Sequence, residues 1–452
     1  MTTFPKLDVE TGSYPCTVIY PNGDRQAGQL ELEPSKSPHG EVFGTPPGLE
    51  KATSFPQPPQ HFSVLACDLR VGYQPLLLNA SVEMWFPGRS LVRAEAAVVG
   101  HGLEQDPEST FPEVSLQITG GHRIFGATPV KETSGPRSLP PQGTVEYKAT
   151  IDVDANRSYQ RDDVELRCRY WLSAHNLDYY RFGVRTAPVF EIRDASRPTA
   201  LGWIADHVLP LRELVTLGTL EQQTVSWLEL DHEDDGTKFG SVQVFSREIA
   251  QSPYAPTIDR DKDGRSLFVF SALPYSPLEL VERWEKLRAA HPNFIEPLIR
   301  GVTEPTDSRS GFLLTVQALE GLHTETYGEG SQYSAKHKEE RDSILKDVKQ
   351  LGLSKKRRAF LHRWLDMNGR YSLRDRLKEL RDDVADDVLS IVNLDLIPGD
   401  VPLYRNQISH GAGNVPATTL RPVGRALAAL GVAHVLRLLD LPRDRMSHLF
   451  TR

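Results

Sequence analysis

The sequence predicts a multidomain α and β protein, with an antiparallel β-rich N-terminal domain of sandwich or barrel type followed by a C-terminal α-helical bundle. Apolar and polar residues alternate with period two from Tyr14 to about Arg193. From Gly311 onward apolar residues recur at spacings of three and four. The segments 33–60 and 129–143 are crowded with Pro, Gly and Ser, as long surface loops between strands would be.

The strands read in order as YPCTVIY, GQLELE, FSVLACDLR, LNASVEMWF, LVRAEAAVV, EVSLQITG, TVEYKATIDV, VELRCRYWL and YRFGVRTAPVFEI. In TVEYKATIDV, Val145, Tyr147, Ala149, Ile151 and Val153 share one face, while the other face is polar, the pattern of a half-buried strand. Thr199 to Leu220 is helical in pattern. TVSWLELD, SVQVFSR and SLFVFSAL then read as strands, and a helix at Pro277–Ala290 puts Leu280, Trp284 and Leu287 on one stripe.

In the C-terminal part, FLLTVQALEGL carries Phe312, Val316 and Leu319 on one stripe. LRDRLKELRDDVADDVLSIV reads as one helix through Leu373, Leu377, Leu380, Val384, Val388 and Ile391. PGDVP reads as a loop before YRNQISHGAG, and an apolar helix runs from Val423 to Leu439. The expected boundaries are a β-rich domain over 1–270, a helical connector over 271–310 and a bundle over 311–452.

With 452 residues, 39% hydrophobic and 25% charged, the chain has the composition of a globular protein and lacks an apolar run long enough to span a bilayer. MTTFPKLDVETG resembles no export or organelle signal, and three widely spaced cysteines favour a reducing cytoplasm over structural zinc or disulfides. The net charge of -8 is uneven: residues 1–310 carry 30 Lys+Arg against 42 Asp+Glu, whereas 311–452 carry 22 against 18. A basic minority domain on an acidic chain points to an anionic partner such as nucleic acid.

The stretch Tyr404-Arg405-Asn406-Gln407-Ile408-Ser409-His410-Gly411 has the residue types for phosphodiester chemistry. On a helix Asn406 and His410 lie about 40° apart, and Arg405 lies about 140° from His410 on a long side chain that can swing back, so that one small surface could present all three. Arg presents a planar fork of donors to phosphate, and His exchanges protons near neutral pH. A capped helix end with Arg405 in a surface ion pair would show the same spacing. Lys355-Lys356-Arg357-Arg358 reads either as a solvated helix start or as an RNA-backbone clamp. Asp259 to Gly264 opens like a calcium loop but has Phe270 at the twelfth position, so a hairpin turn is expected. His232-Glu233 lacks the second His of a zincin, and Glu320 with His323 forms at most half of a di-metal motif. No metal site and no cofactor are expected.

ALEGLH near the start of the helical domain, SLRDRLKEL in its middle and YRNQISHG before the last apolar helix resemble the ApeA-like HEPN family of bacterial anti-phage proteins. LPLRELVTLGT and LVERWEKL resemble that family's N-terminal domain and linker. The resemblance implies a metal-independent endoribonuclease acting in abortive infection. It implies Arg405 and His410 at the R-x(4–6)-H positions, Asn406 at the polar position after the Arg, and a homodimer whose paired HEPN domains build one composite site. RNA is then the substrate, and a phage-derived trigger is the expected ligand of the N-terminal domain. The competing class is a non-catalytic ligand- or nucleotide-binding protein whose helical bundle only dimerises.

Overall fold

The alternating segments pair into one large antiparallel sheet. The computed structural model describes residues 12–49, 57–70, 72–100, 109–126, 129–134, 148–178, 181–234, 237–252, 265–327, 335–368, 372–384, 392–410 and 415–450. Its strands are β1 Ser13–Ile19, β2 Arg25–Glu31, β3 His39–Phe43, β4 Gln60–Leu69, β5 Gln74–Phe86, β6 Arg89–Arg93, β7 Ala96–Gly100, β8 Glu113–Ile118, β9 Val130–Ser134, β10 Lys148–Ile151, β11 Arg157–Arg161, β12 Val164–Asp178, β13 Arg181–Asp194, β14 Val225–Asp234 and β15 Thr237–Ser246. Thirteen of them run in the order β11-β12-β13-β8-β14-β15-β7-β5-β4-β1-β2-β3-β6, and β9 pairs with β10 separately.

Because β6 pairs with both β3 and β5, the strands β5-β4-β1-β2-β3-β6 close on themselves as a barrel. Closure leaves those strands without an unpaired edge. Val18, Leu30, Val42, Leu65, Leu77, Val82 and Val92 fill the interior, all nearly inaccessible to solvent. Each such side chain contributes about 1.5–3 kcal/mol by leaving water. The remaining strands continue as an open sheet with two different faces. Val114, Leu116, Leu166, Phe190, Ile192, Leu228 and Leu230 are buried on one, and Glu113, Glu165, Arg167, Glu191, Arg193 and Glu229 occupy the alternate positions.

The helical pattern after Thr199 is realised as α2 Ala200–Gly202, a π turn Trp203–Val208 and α3 Leu209–Thr219; α1, earlier in the chain, is Gly121–Phe125. Thr199 caps α2 through Oγ1, which accepts from the Gly202 N–H at 3.2 Å. The indole N–H of the fully buried Trp203 donates to the Phe111 carbonyl at 2.9 Å, so the ring can be buried without an orphaned donor.

Several local expectations are corrected. The loop 33–60 contains β3, the strand that pairs β2 with β6, because Gly40 and Val42 bury while Glu41 stays outside. The stretch 129–143 contains β9. LVRAEAAVV is two strands, β6 and β7, divided at Ala94-Glu95. SLFVFSAL makes no strand: it buries Leu267, Phe268 and Phe270 and ends in a 3-10 turn Phe270–Ala272, so its apolarity reports burial rather than extended pairing. TVEYKATIDV yields only the short β10 and a 3-10 turn Val153–Ala155 among the described residues.

The chain divides into two compact units, and the second gathers residues 216–222, 265–268 and 282–452. Beyond α4 Pro277–Ala290 come α5 Pro292–Thr303, α6 Arg309–Tyr327, α7 Ala335–Gln350, α8 Lys355–Asn368, α9 Leu373–Asp382, α10 Leu396–Ser409, α11 Ala417–Leu438 and α12 Ser447–Phe450. Helix α11 is the axis of this unit: every residue from Ala426 to Leu436 is buried, and α5, α6 and α10 pack on it. Such all-round burial marks a core helix rather than an amphipathic surface helix. Gly424 permits the close approach, since a Cβ there would overlap the backbone oxygen of Thr306. No helix of the described residues is long and apolar enough to cross a membrane.

Two helical expectations also change. The helix read over 373–391 ends at Asp382, with Asp383 and Val384 in a turn, because successive carboxylates meet the negative end of the helix dipole. Val388 and Ile391 lie outside the described residues. PGDVP is not a loop but the first half of α10. Pro398 occupies the first turn, where a missing N–H costs nothing, and Val401 is fully buried.

Candidate functional site

Helix α10 is positioned by a narrow apolar stripe. Leu394, Ile397 and Val401 are all fully buried, and α10 packs on α6, α9 and α11. Its start is tied to α9 by Arg381, whose guanidinium contacts Asp382 at 2.7 Å and Asp395, the residue before α10, at 3.4 Å. The Asp395 carboxylate also suits the positive end of the α10 dipole.

Arg405 lies one turn beyond Val401 on the same side of α10 and is half-buried. No ion pair of Arg405 occurs among the described residues, while the helix ends at His410 as the capped-end alternative has it. Asn406 and His410 are exposed. The His410 backbone N–H donates to the Asn406 carbonyl at 3.1 Å, which ends the helix at Ser409 with His410 as its cap. Asn406 and His410 therefore sit on one outward face, whereas Arg405 faces the side that carries the apolar stripe. Gly411, read as the terminator, lies outside the described residues.

Lys355, Lys356, Arg357 and Arg358 form the exposed first turn of α8. The Arg358 Nε–H donates to the Leu353 carbonyl at 3.0 Å, and Ser354 Oγ accepts from the Arg357 N–H at 3.4 Å. Phe360 follows at 68% exposure, so an aromatic face and four cations share one helix end.

His323, one turn from Glu320 and the other half of that incomplete di-metal spacing, pairs instead with a residue of another helix. It is buried on α6, and its Nε2 lies 2.8 Å from Glu379 Oε2 on α9, a residue the sequence reading did not single out. His434 was also missed. Fully buried on α11, it donates Nε2–H to the Leu380 carbonyl at 2.9 Å, and its Nδ1 has no partner among the described residues. Burial drives its pKa down to about 4, so the ring is neutral near pH 7. The only sign of either in the sequence was a histidine inside an apolar helical pattern.

Among the described residues no group of three or more His, Cys, Asp or Glu is placed to hold a metal ion. The calcium-like loop 259–264 lies outside the described residues. His232 and Glu233 fall on β14, paired with Gly240 and Lys238 of β15. Cys16, Cys67 and Cys168 are buried free thiols.

Comparison with known proteins agrees with this division into a sheet part and a helical part. No curated protein and no solved structure matches the chain. Two family models do: ApeA N-terminal domain 1 over residues 18–284 and Apea-like HEPN over residues 313–423. The second span contains α10 with Arg405, Asn406 and His410, together with the basic turn of α8 and the His323–Glu379 pair. With a β-barrel-bearing N-terminal region matched over more than half its length and a helical region matched after it, the chain belongs to the ApeA-like HEPN family.

Proposed function

We propose that this protein is a metal-independent endoribonuclease of anti-phage defence acting by abortive infection, with Arg405, Asn406 and His410 as its working residues. Membership in the ApeA-like HEPN family supports an anti-phage role. The single observation that carries the catalytic reading is Arg405: a half-buried residue with no ionic partner among the described residues, on a helix that also exposes Asn406 and His410. A structural arginine in that setting would be expected to have a carboxylate against it.

RNA carries its own nucleophile, the ribose 2′-hydroxyl, so the protein must supply a proton acceptor, a charge stabiliser and a held geometry. His410 exchanges the proton, Arg405 stabilises charge developing on the phosphorane, and Asn406 orients the phosphate or the imidazole. The products are a 2′,3′-cyclic phosphate and a 5′-hydroxyl. Because Arg405 and His410 leave one helix in different directions, a homodimer through the 311–452 bundle, with Arg405 of one protomer near His410 of the other, would bring the two together in one composite site. Lys355 to Arg358 hold the RNA backbone without sequence choice. Residues 1–270 sense a phage-derived trigger, and 271–310 connect sensor to nuclease in the cytoplasm.

The test is sequencing of cellular RNA ends after expression of the intact protein, Arg405→Ala and His410→Ala. New cyclic-phosphate ends with the intact chain alone, at unchanged folding and oligomeric state, support the reading. Identical RNA ends in all three would leave the helical bundle as a dimerisation scaffold.

A further inference from the structure

Helix α8 leaves most of its circumference in water. From Lys355 to Arg363 every residue except Leu361 is exposed, and Leu361 with the buried Leu365 marks the side that packs. Measured from Phe360 around the helix axis, Leu361 and Leu365 lie about 100° and 140° to one side, whereas Lys356 and Arg363 lie about 40° and 60° to the other. Phe360 therefore stands on the outer face, with one cation a turn before it and another a turn after.

The charge around it is one-sided. Residues 343–365 hold seven Lys+Arg against the single carboxylate of Asp347. Lys355, Lys356, Arg357, Arg358 and Arg363 make no ion pair among the described residues, and the one side-chain bond in the set runs from Arg358 Nε–H to the Leu353 carbonyl. The ligand of such a face is anionic. From Lys355 to Arg363 the cations extend over about 12 Å of helix, a span that suits a chain of phosphates better than a single one.

The ring narrows the class. Phe360 is 68% exposed, and an aromatic set between cations is the combination that holds unpaired nucleic acid, because bases stack on the ring while the cations follow the backbone. Paired bases are already stacked on one another and offer it no free face. An anionic membrane fits less well. A helix lying in a bilayer surface needs an apolar face along its length, and the described outer side chains of α8 give one ring among charges.

We propose that the outer face of α8 binds an unpaired RNA strand, with Phe360 stacked on a base and Lys356 and Arg363 on the phosphates to either side. This rests on RNA as the ligand of the helical region, but not on its cleavage. To the sequence-blind hold of the basic turn it adds a choice of single strand over duplex.

The experiment measures fluorescence anisotropy of the full chain with a short labelled 2′-O-methyl RNA, which lacks the 2′-hydroxyl and so is not cut, free or annealed to its complement. The single strand is expected to bind more tightly. Phe360→Ala should weaken it about tenfold while leaving the duplex and the salt dependence nearly unchanged, and Phe360→Trp should restore it. Lys356→Ala combined with Arg363→Ala should weaken both forms and flatten the salt dependence. All three positions are exposed, so unchanged melting curves are expected. Equal affinity for strand and duplex overturns the proposal, as does single-strand binding that survives Phe360→Ala. Binding to phosphatidylglycerol vesicles that Phe360→Ala removes, with RNA affinity untouched, makes α8 a membrane-surface helix instead. A chain that binds as expected but cuts no natural RNA refutes the nuclease reading and keeps this one, whereas a chain that cuts RNA but binds without Phe360 does the reverse.

Discussion

His323 on α6 and Glu379 on α9 meet at 2.8 Å although 56 residues separate them in the chain. The two are unequal partners: the imidazole is buried, while the carboxylate is 38% exposed and can turn to water. Removing one is therefore not equivalent to removing the other.

Glu379→Ala leaves a buried imidazole nitrogen without that acceptor and should cost about 1–3 kcal/mol. Glu379→Gln, which keeps an acceptor oxygen, should cost less. Urea unfolding of the three proteins checks the order, and equal midpoints would show that the contact holds nothing.

RNA cleavage is expected to persist in excess EDTA with protein previously stripped of metal, because Arg and His supply the charge and the proton transfer. The sharper control replaces the 2′-hydroxyl at the cut site with hydrogen, which removes the nucleophile and keeps the phosphate for Arg405. Efficient cutting of that substrate would end the proposed mechanism even if His410 proved essential.

His434 makes stability depend on pH. Its folded pKa is pushed down to about 4 chiefly by burial, against an ordinary value of ~6.5; the Leu380 carbonyl and Asp383 act upward, and Arg437 and Arg443 downward. Between those values the unfolded chain binds the extra proton, so stability falls as pH drops through that window, by up to about 3 kcal/mol, and falls no further from this group below it. Neutral His434→Gln should flatten the pH 4 to 6.5 segment of a melting-temperature profile, and a slope unchanged in the variant would assign it to other groups.

Gly424→Ala should destabilise by about 1–3 kcal/mol despite the better helix propensity of alanine. The new Cβ meets the Thr306 backbone oxygen, which cannot step aside. Gly431→Ala meets the end of the Leu298 side chain rather than backbone, so its cost should be smaller. Thermal unfolding of the pair compares the two.

Much of this fold was legible because burial writes a period into the chain. Helix α4 has its predicted ends, with Leu280, Trp284 and Leu287 buried on one stripe, and α6 buries Phe312, Val316 and Leu319 as read. What could not be read was pairing between distant segments. Barrel closure through β3 depends on five residues, His39–Phe43, set among prolines and glycines, and nothing local says that they find β6. Turn residues misled at 398–402, where a proline in the first helical turn looks the same in sequence as a proline in a loop. At the candidate site the residue types of α10 were visible, but which side of the helix faces the bundle was set by Ile397 and Val401, and Glu379 entered only through the packing of α6 on α9.

The central helix α11 has a consequence in time. It follows α10 in the chain, and α5, α6 and α10 are left without their common packing partner until residues 417–438 have been made. A nascent chain that has reached only residue 415 holds Ile397 and Val401 of α10 without the helix that covers them, so α10 acquires its final orientation only after α11 has cleared the ribosome. Whatever α10 does, it does only once α11 has packed on it.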